Sequence, residues 1–189
     1  VGKWHLGGKG NGPIPQELRG GFEGFIGYQC YNGFYKDVCF YDEDNREHCF
    51  DRHRTDVTTD LALDRLESLA GADRPFVLMV SYQAPHYPEQ PAPEYSALYE
   101  GREIVHRPNC EASIDPFTPT FSPPSPRPFE KDPDYRRYGN DLDEYIRLYN
   151  AMCTQIDANV GRLLEALEHL QIADDTMVIY TSDHGDMQG

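Results

Sequence analysis

Five side chains in this sequence could do chemistry together. Lys3 and His5 stand two residues apart in VGKWHLGG, His86 stands in QAPHYP, and Asp183 and His184 are adjacent in TMVIYTSDHGDMQG. A carboxylate beside an imidazole can hold a divalent cation. A lysine and two more histidines near that ion would make a cationic pocket, suited to an anion with several oxygens such as a sulfate or phosphate ester. Taken singly, each feature has an ordinary explanation. Asp-His-Gly after a strand is usually a turn or a helix cap, a histidine among prolines usually sits on a surface loop, and an isolated Lys or His is usually solvated. The chemical reading therefore depends on whether the chain brings the five together.

The segments that would carry them are legible. Phe76 to Tyr82 and Met177 to Thr181 are apolar runs of strand length without alternation, as expected for strands covered on both faces. His86 falls four residues beyond the first run, and Asp183 and His184 come directly after the second. In open parallel sheets, ligands sit beyond the carboxyl ends of the strands, and Gly185 would let the backbone turn away there. Two helices are expected. RTDVTTDLALDRLESLAG places Val57, Leu61, Leu66 and Leu69 on one face, with Thr55 or Asp56 as its cap and Gly71 as its end. From about Asn140 to Leu170, apolar residues from Leu142 through Leu167 recur at steps of three or four, with Asp141 and Glu144 at the start. A helical crossover between two buried strands predicts a parallel α/β sheet. Residues 1–33 are glycine-rich but threaded with large rings, which predicts an ordered loop around a pocket rather than a linker. Residues 101–139 hold eight prolines and little periodicity, as a surface excursion would.

Composition narrows the function. The 189 residues suffice for one domain with a core. The net charge of −15 argues against nucleic acid, which needs a basic surface. No stretch approaches the ~20 apolar residues of a membrane span. Of five cysteines, no two have CxxC spacing; Cys30, Cys39 and Cys49 lie close enough for a local disulfide. His48, His53, His106 and His169 belong to no motif and are expected on the surface.

Four stretches, GKWHLGG, GFEGFIGYQCYN, PFVLMVSYQAPHYP and the run from YNAMCTQIDANVGRLLEALEHL to TSDHGDMQG, resemble in order and spacing the type I sulfatase family of the alkaline phosphatase superfamily. The resemblance covers most of the chain and is least informative at 101–139. It implies a mostly parallel α/β sheet sandwiched by helices, alkaline phosphatase-like and incomplete, with 1–189 part of a single catalytic domain. By the same resemblance Lys3 would bind a sulfate oxygen, and His5 would contact the hydroxyl of the nucleophile. His86 would sit near the ester oxygen and protonate the leaving group, and Asn32 would lie near a polar substrate contact. Asp183 and His184 would ligate a divalent cation, Ca2+ in the family; histidine stands at 184 where many members have asparagine, and imidazole suits softer cations better. The implied substrate is a small-molecule or glycan sulfate ester, and the implied compartment is periplasmic or extracellular.

The family's nucleophile is a formylglycine made within Cys-x-Pro-x-Arg or its serine form. None of the five cysteines here begins that motif, and in SPPSPR at 122–127 the arginine comes one position too late. The expectation is therefore a central piece of a sulfatase, with its nucleophile upstream of Val1 and no activity alone. A phosphonate monoester or phosphodiester hydrolase of the same superfamily, and a non-catalytic anion- or glycan-binding relative, are the alternatives.

Overall fold

The computed structural model describes residues 1–8, 10, 12–30, 33–106, 108 and 142–186. The chain divides into two compact units, Val1–Tyr87 with Gln155–Val178, and Pro88–Thr154 with Ile179–Gly189.

The first unit is built on a mixed sheet whose strands lie in sequence order: β1 (Gly2–Lys3), β2 (Gly27–Tyr28), β3 (Val38–Tyr41) and β4 (Glu47–Phe50). β1 and β2 run parallel, with Gly2 opposite Gly27 and Lys3 opposite Tyr28; the other two pairings are antiparallel. Val38 and Phe40 are buried while Cys39 and Tyr41 are half-buried, the two-residue alternation of a strand with one covered face. Tyr28, Val38 and Phe40 pack on Val57 of α1 (Arg54–Ala70), with Ile26, Phe50 and Leu61 around them. Arg54 is buried in the same place. Its guanidinium lies over the Tyr28 ring, 4.3 Å from the centroid, and donates to the carbonyls of Gly33 and Asp37 at 2.7 Å each.

The helix begins two to three residues earlier than the expected cap would place it. His53, not Thr55 or Asp56, is the N-cap, its Nδ1 accepting from the Thr55 amide at 3.2 Å. His53 is only 4% exposed and stacks on Phe34, so the expectation of a surface position is wrong. The reason is a polar seam that periodicity does not reveal. Along α3 (Leu142–His169), Gln155 donates to His53 and to Asp56, and Asn159 donates to Asp56 at 2.8 Å. Arg162 adds an ion pair to Asp60 of α1.

In the second unit, α2 (Pro93–Ala97) starts on proline, which fits a first-turn position because no amide hydrogen is needed there. Leu142, Tyr145 and Ile146 of α3 form a small core with Ile104 and Leu148. His106 pairs with Asp143 at 2.6 Å. Asp141 and the bulk of the proline-rich stretch, residue 107 and residues 109–141, lie outside the described residues.

Neither expected strand is a regular one. Residues 76–82 do run beside β1: the Val1 nitrogen donates to the Met79 carbonyl, the Ser81 amide to Val1, and the Lys3 amide to Ser81, with Gly2 and Ser81 in parallel register. Phe76, Leu78 and Val80 are half-buried, but Val77 is 82% exposed and Met79 is exposed too. Residues 177–181 pair with nothing as a strand among the described residues, and Met177, Val178, Ile179 and Tyr180 are all exposed. A strand needs a ladder partner as well as a suitable sequence, and these segments lack the neighbours their apolar pattern matches. The fold is α/β, built around a small mixed sheet.

Cys39 and Cys49 face each other across β3 and β4 and form a disulfide. Cys30 and Cys153 are not bridged, and Cys110 lies outside the described residues.

Candidate active site

Lys3 ends β1, and its position depends on two glycines. A Cβ on Gly2 would fall 2.2 Å from the Ser81 carbonyl oxygen, and one on Gly27 would fall 2.4 Å from the Gly2 carbonyl oxygen. Gly2 also has φ +103°, a backbone conformation open to glycine. Only side-chain-free residues let β1 sit this closely between β2 and residues 79–81.

Beyond Lys3 the chain leaves the sheet at His5, which is exposed and has φ 55°. A non-glycine residue in the left-handed region carries strain of order 1–3 kcal/mol and is frequent at functional sites. The next turn of chain is tied down: buried Gln29 accepts from the Gly7 amide at 3.2 Å and donates to the Gly8 carbonyl. Trp4 is held by a hydrogen bond from its indole to the Leu18 carbonyl at 2.8 Å and by edge contacts with Phe22 and Phe25. The glycine-rich stretch is thus ordered by its rings wherever it is described.

His86 leaves the neighbouring parallel segment at the same end. Its Nδ1 lies 2.6 Å from the Tyr87 carbonyl. A carbonyl can only accept, so Nδ1 carries the hydrogen. Three residues earlier, Gln83 is buried with neither amide atom hydrogen-bonded among the described residues. Because Gly2 and Ser81 are in parallel register, the chain after β1, with His5, and the chain after residue 82, with His86, leave toward the same end. A cleft of about 400 Å³ in the same unit is lined by Lys3, Trp4, Phe22, Arg65 and Arg74, but not by His5 or His86. The strand-end loops, where the titratable groups gather, are the better candidate for chemistry. Asn32 lies outside the described residues.

Asp183 and His184 belong to the second unit and project into solvent. The Asp183 carboxylate accepts from the His184 amide at 2.9 Å. His184 Nδ1 lies 3.0 Å from the Gly185 carbonyl, so it too carries the hydrogen, and Nε2 presents a lone pair 3.7 Å from Asp183 Oδ2. Neighbouring ligands of one cation stand roughly 3–3.7 Å apart, and a ligating histidine typically donates its other N–H to a carbonyl or carboxylate. The pair fits two ligands of a shared ion. Among the described residues no third His, Cys, Asp or Glu completes a cluster with them; the one triad is Cys39, Glu47 and Cys49, whose sulfurs are bonded to each other.

The loop bearing this pair is anchored by a residue that apolar spacing alone places only in a helical stripe. The Tyr145 hydroxyl donates to Asp186 Oδ2 at 2.7 Å. Burial, then the Asp186 carboxylate, hold the Tyr145 phenol far above its ordinary value, and burial also raises Tyr149. The clue in the sequence is the spacing of two tyrosines at i and i+4, which puts both on one helix face.

Lys3, His5 and His86 belong to the first unit of this α/β chain, and the carboxylate–imidazole pair to the second. The family model described as Sulfatase matches residues 1–189, and the chain belongs to the sulfatase family. The ulvan-active sulfatase of Formosa agariphila is 29% identical over 191 residues, covering 100% of this chain and 32% of its own length. Human iduronate 2-sulfatase is 34% identical over 136 residues, covering 68% of this chain and 25% of its own. The crystal structure of the yidJ protein of Bacteroides fragilis superimposes with a TM-score of 0.70 at 23% identity, over 98% of this chain and 40% of that one, a likeness of fold. The chain thus spans a quarter to a third of the length of these curated relatives. No helix among the described residues is long and apolar enough to cross a membrane.

Proposed function

We propose that this chain carries the central part of one sulfatase catalytic domain, comprising both compact units, and that the protein hydrolyses a sulfate ester on a sugar. The observation that supports it best is the parallel register of Gly2 and Ser81, from which the segment carrying Lys3 and His5 and the segment carrying His86 run in the same direction. Lys3 would bind a sulfate oxygen and offset the charge that repels a nucleophile. As the sulfur–oxygen ester bond breaks, His86 Nε2 would deliver a proton to the departing alcohol oxygen. His5 would face the nucleophile's hydroxyl and take its proton when the sulfated enzyme breaks down. Asn32 would add a polar contact to the substrate. Asp183 Oδ2 and His184 Nε2 would hold a divalent cation, Ca2+ in the family. When bound, that ion would draw negative charge from the sulfate oxygens. The nucleophile, a formylglycine, would come from outside these 189 residues, because no cysteine here begins Cys-x-Pro-x-Arg.

The sugar half of the substrate rests on the relatives' names, which speak of ulvan and of iduronate. The Cys39–Cys49 disulfide supports an oxidising compartment, periplasmic or extracellular. In the complete domain, further strands would cover the apolar side chains exposed at Val77, Met79 and 177–180.

The test is a panel of substrates given to the full-length protein: sulfated mono- and oligosaccharides, 4-nitrophenyl sulfate, a phosphodiester and a phosphonate monoester. Sulfate esters should be turned over fastest, Lys3→Ala and His86→Ala should each lose at least about a hundredfold, and the 189-residue chain alone should be inactive. Preference for the phosphodiester or phosphonate, or robust turnover by the isolated chain, would refute the assignment.

A further inference from the structure

The Tyr145 hydroxyl of α3 holds the carboxylate of Asp186 in the DHGD loop at 2.7 Å. Tyr145 is 2% exposed, fixed in a core with Leu142 and Ile146, whereas Asp183, His184 and Asp186 are exposed. A buried helix turn thus carries the anchor, and a solvated loop is what it anchors. Within the loop, Ser182 Oγ donates to the His184 carbonyl, the His184 amide to Asp183, and His184 Nδ1 to the Gly185 carbonyl.

We infer that Tyr145 is a positioning residue that clamps Asp186 and thereby presets Asp183 and His184, three and two residues earlier, to receive a divalent cation. The inference rests on the reading of Asp183 and His184 as ligands. A loop that must be ordered at the moment of binding holds its ion less tightly than one already ordered, and groups that orient metal ligands typically affect affinity by about 10- to 100-fold. Tyr145 need not touch the ion.

The probe is Ca2+ alone, titrated by calorimetry into metal-stripped full-length protein. Tyr145→Phe keeps the buried ring and removes the bond to the carboxylate. It should weaken Ca2+ binding by about tenfold, while the melting temperature without metal stays close to that of the parent. Asp186→Asn retains an acceptor for Tyr145 and should bind Ca2+ within about twofold of the parent, whereas Asp186→Ala should match Tyr145→Phe, and combining those two changes should weaken binding little further. Amide hydrogens of residues 182–186 should exchange faster in Tyr145→Phe without metal. Unchanged Ca2+ affinity in Tyr145→Phe, with affinity abolished in Asp183→Ala, would overturn the clamp and leave the metal assignment standing. If Asp183→Ala binds Ca2+ as the parent does, the metal assignment falls first and the clamp with it.

Discussion

The amide of Lys3 donates to the carbonyl of Ser81 at 2.9 Å. Through that bond the ends of two parallel segments are set level, with His5 following on one and His86 on the other. The contact is permitted by Gly2, whose missing side chain is all that separates its Cα from the Ser81 backbone.

Gly2→Ala should therefore be among the most damaging single substitutions. The added methyl would meet a backbone oxygen at 2.2 Å, and φ +103° is strained for alanine as well. A loss of at least ~3 kcal/mol is expected, read by denaturant unfolding of the full-length protein, with turnover falling in step. A variant as stable as the parent would mean that β1 does not sit against Ser81.

His5 makes the opposite prediction. It is exposed and held at φ 55°, a conformation that glycine adopts freely. Strain relieved in the fold and entropy gained by the unfolded chain nearly offset each other, so His5→Gly should change stability by less than about 1 kcal/mol. Turnover of a sulfate ester should nonetheless fall by roughly 10²-fold or more, the weight of a proton-transferring group. Parallel losses of stability and activity would make His5 a structural residue.

How much of this the sequence announces differs sharply between its parts. Lys3, His5, His86, Asp183 and His184 stand out in the sequence because their residue types suit the chemistry proposed, and the helices are legible because their apolar spacing is regular. The expected strands at 76–82 and 177–181 mislead because an unbroken apolar run describes the surroundings a segment suits, and the residues that would pair with it need not lie within the chain. His53 misleads for a related reason. A lone histidine has no pattern, and its burial comes from Gln155, far along the chain, together with the ring of Phe34. The Tyr145–Asp186 bond is likewise invisible, since i,i+4 tyrosines on an apolar stripe look like core.

Alkaline pH should destabilise the protein through its buried phenols. Burial raises Tyr28 and Tyr145 above the ordinary value of 10.0. In the unfolded chain they ionise near that value while the folded forms stay protonated, so above about pH 10 the folded state binds more protons and stability falls as pH rises. Each phenol contributes up to ~1.4 kcal/mol per pH unit beyond that point. Tyr28→Phe should flatten the decline in thermal stability between about pH 9.5 and 11; an unchanged slope would mean that the Tyr28 phenol is solvated.

The most direct test of the central claim is a crystal structure of the full-length protein grown with Ca2+ and sulfate or a sulfated sugar. One sulfate group should contact Lys3 Nζ and His86 Nε2 at hydrogen-bonding distance, about 2.7–3.2 Å. A Ca2+ ion should sit on Asp183 Oδ2, at about 2.3–2.6 Å, and on His184 Nε2. A sulfate bound away from Lys3 and His86, or no ion at Asp183 and His184, would contradict the claim.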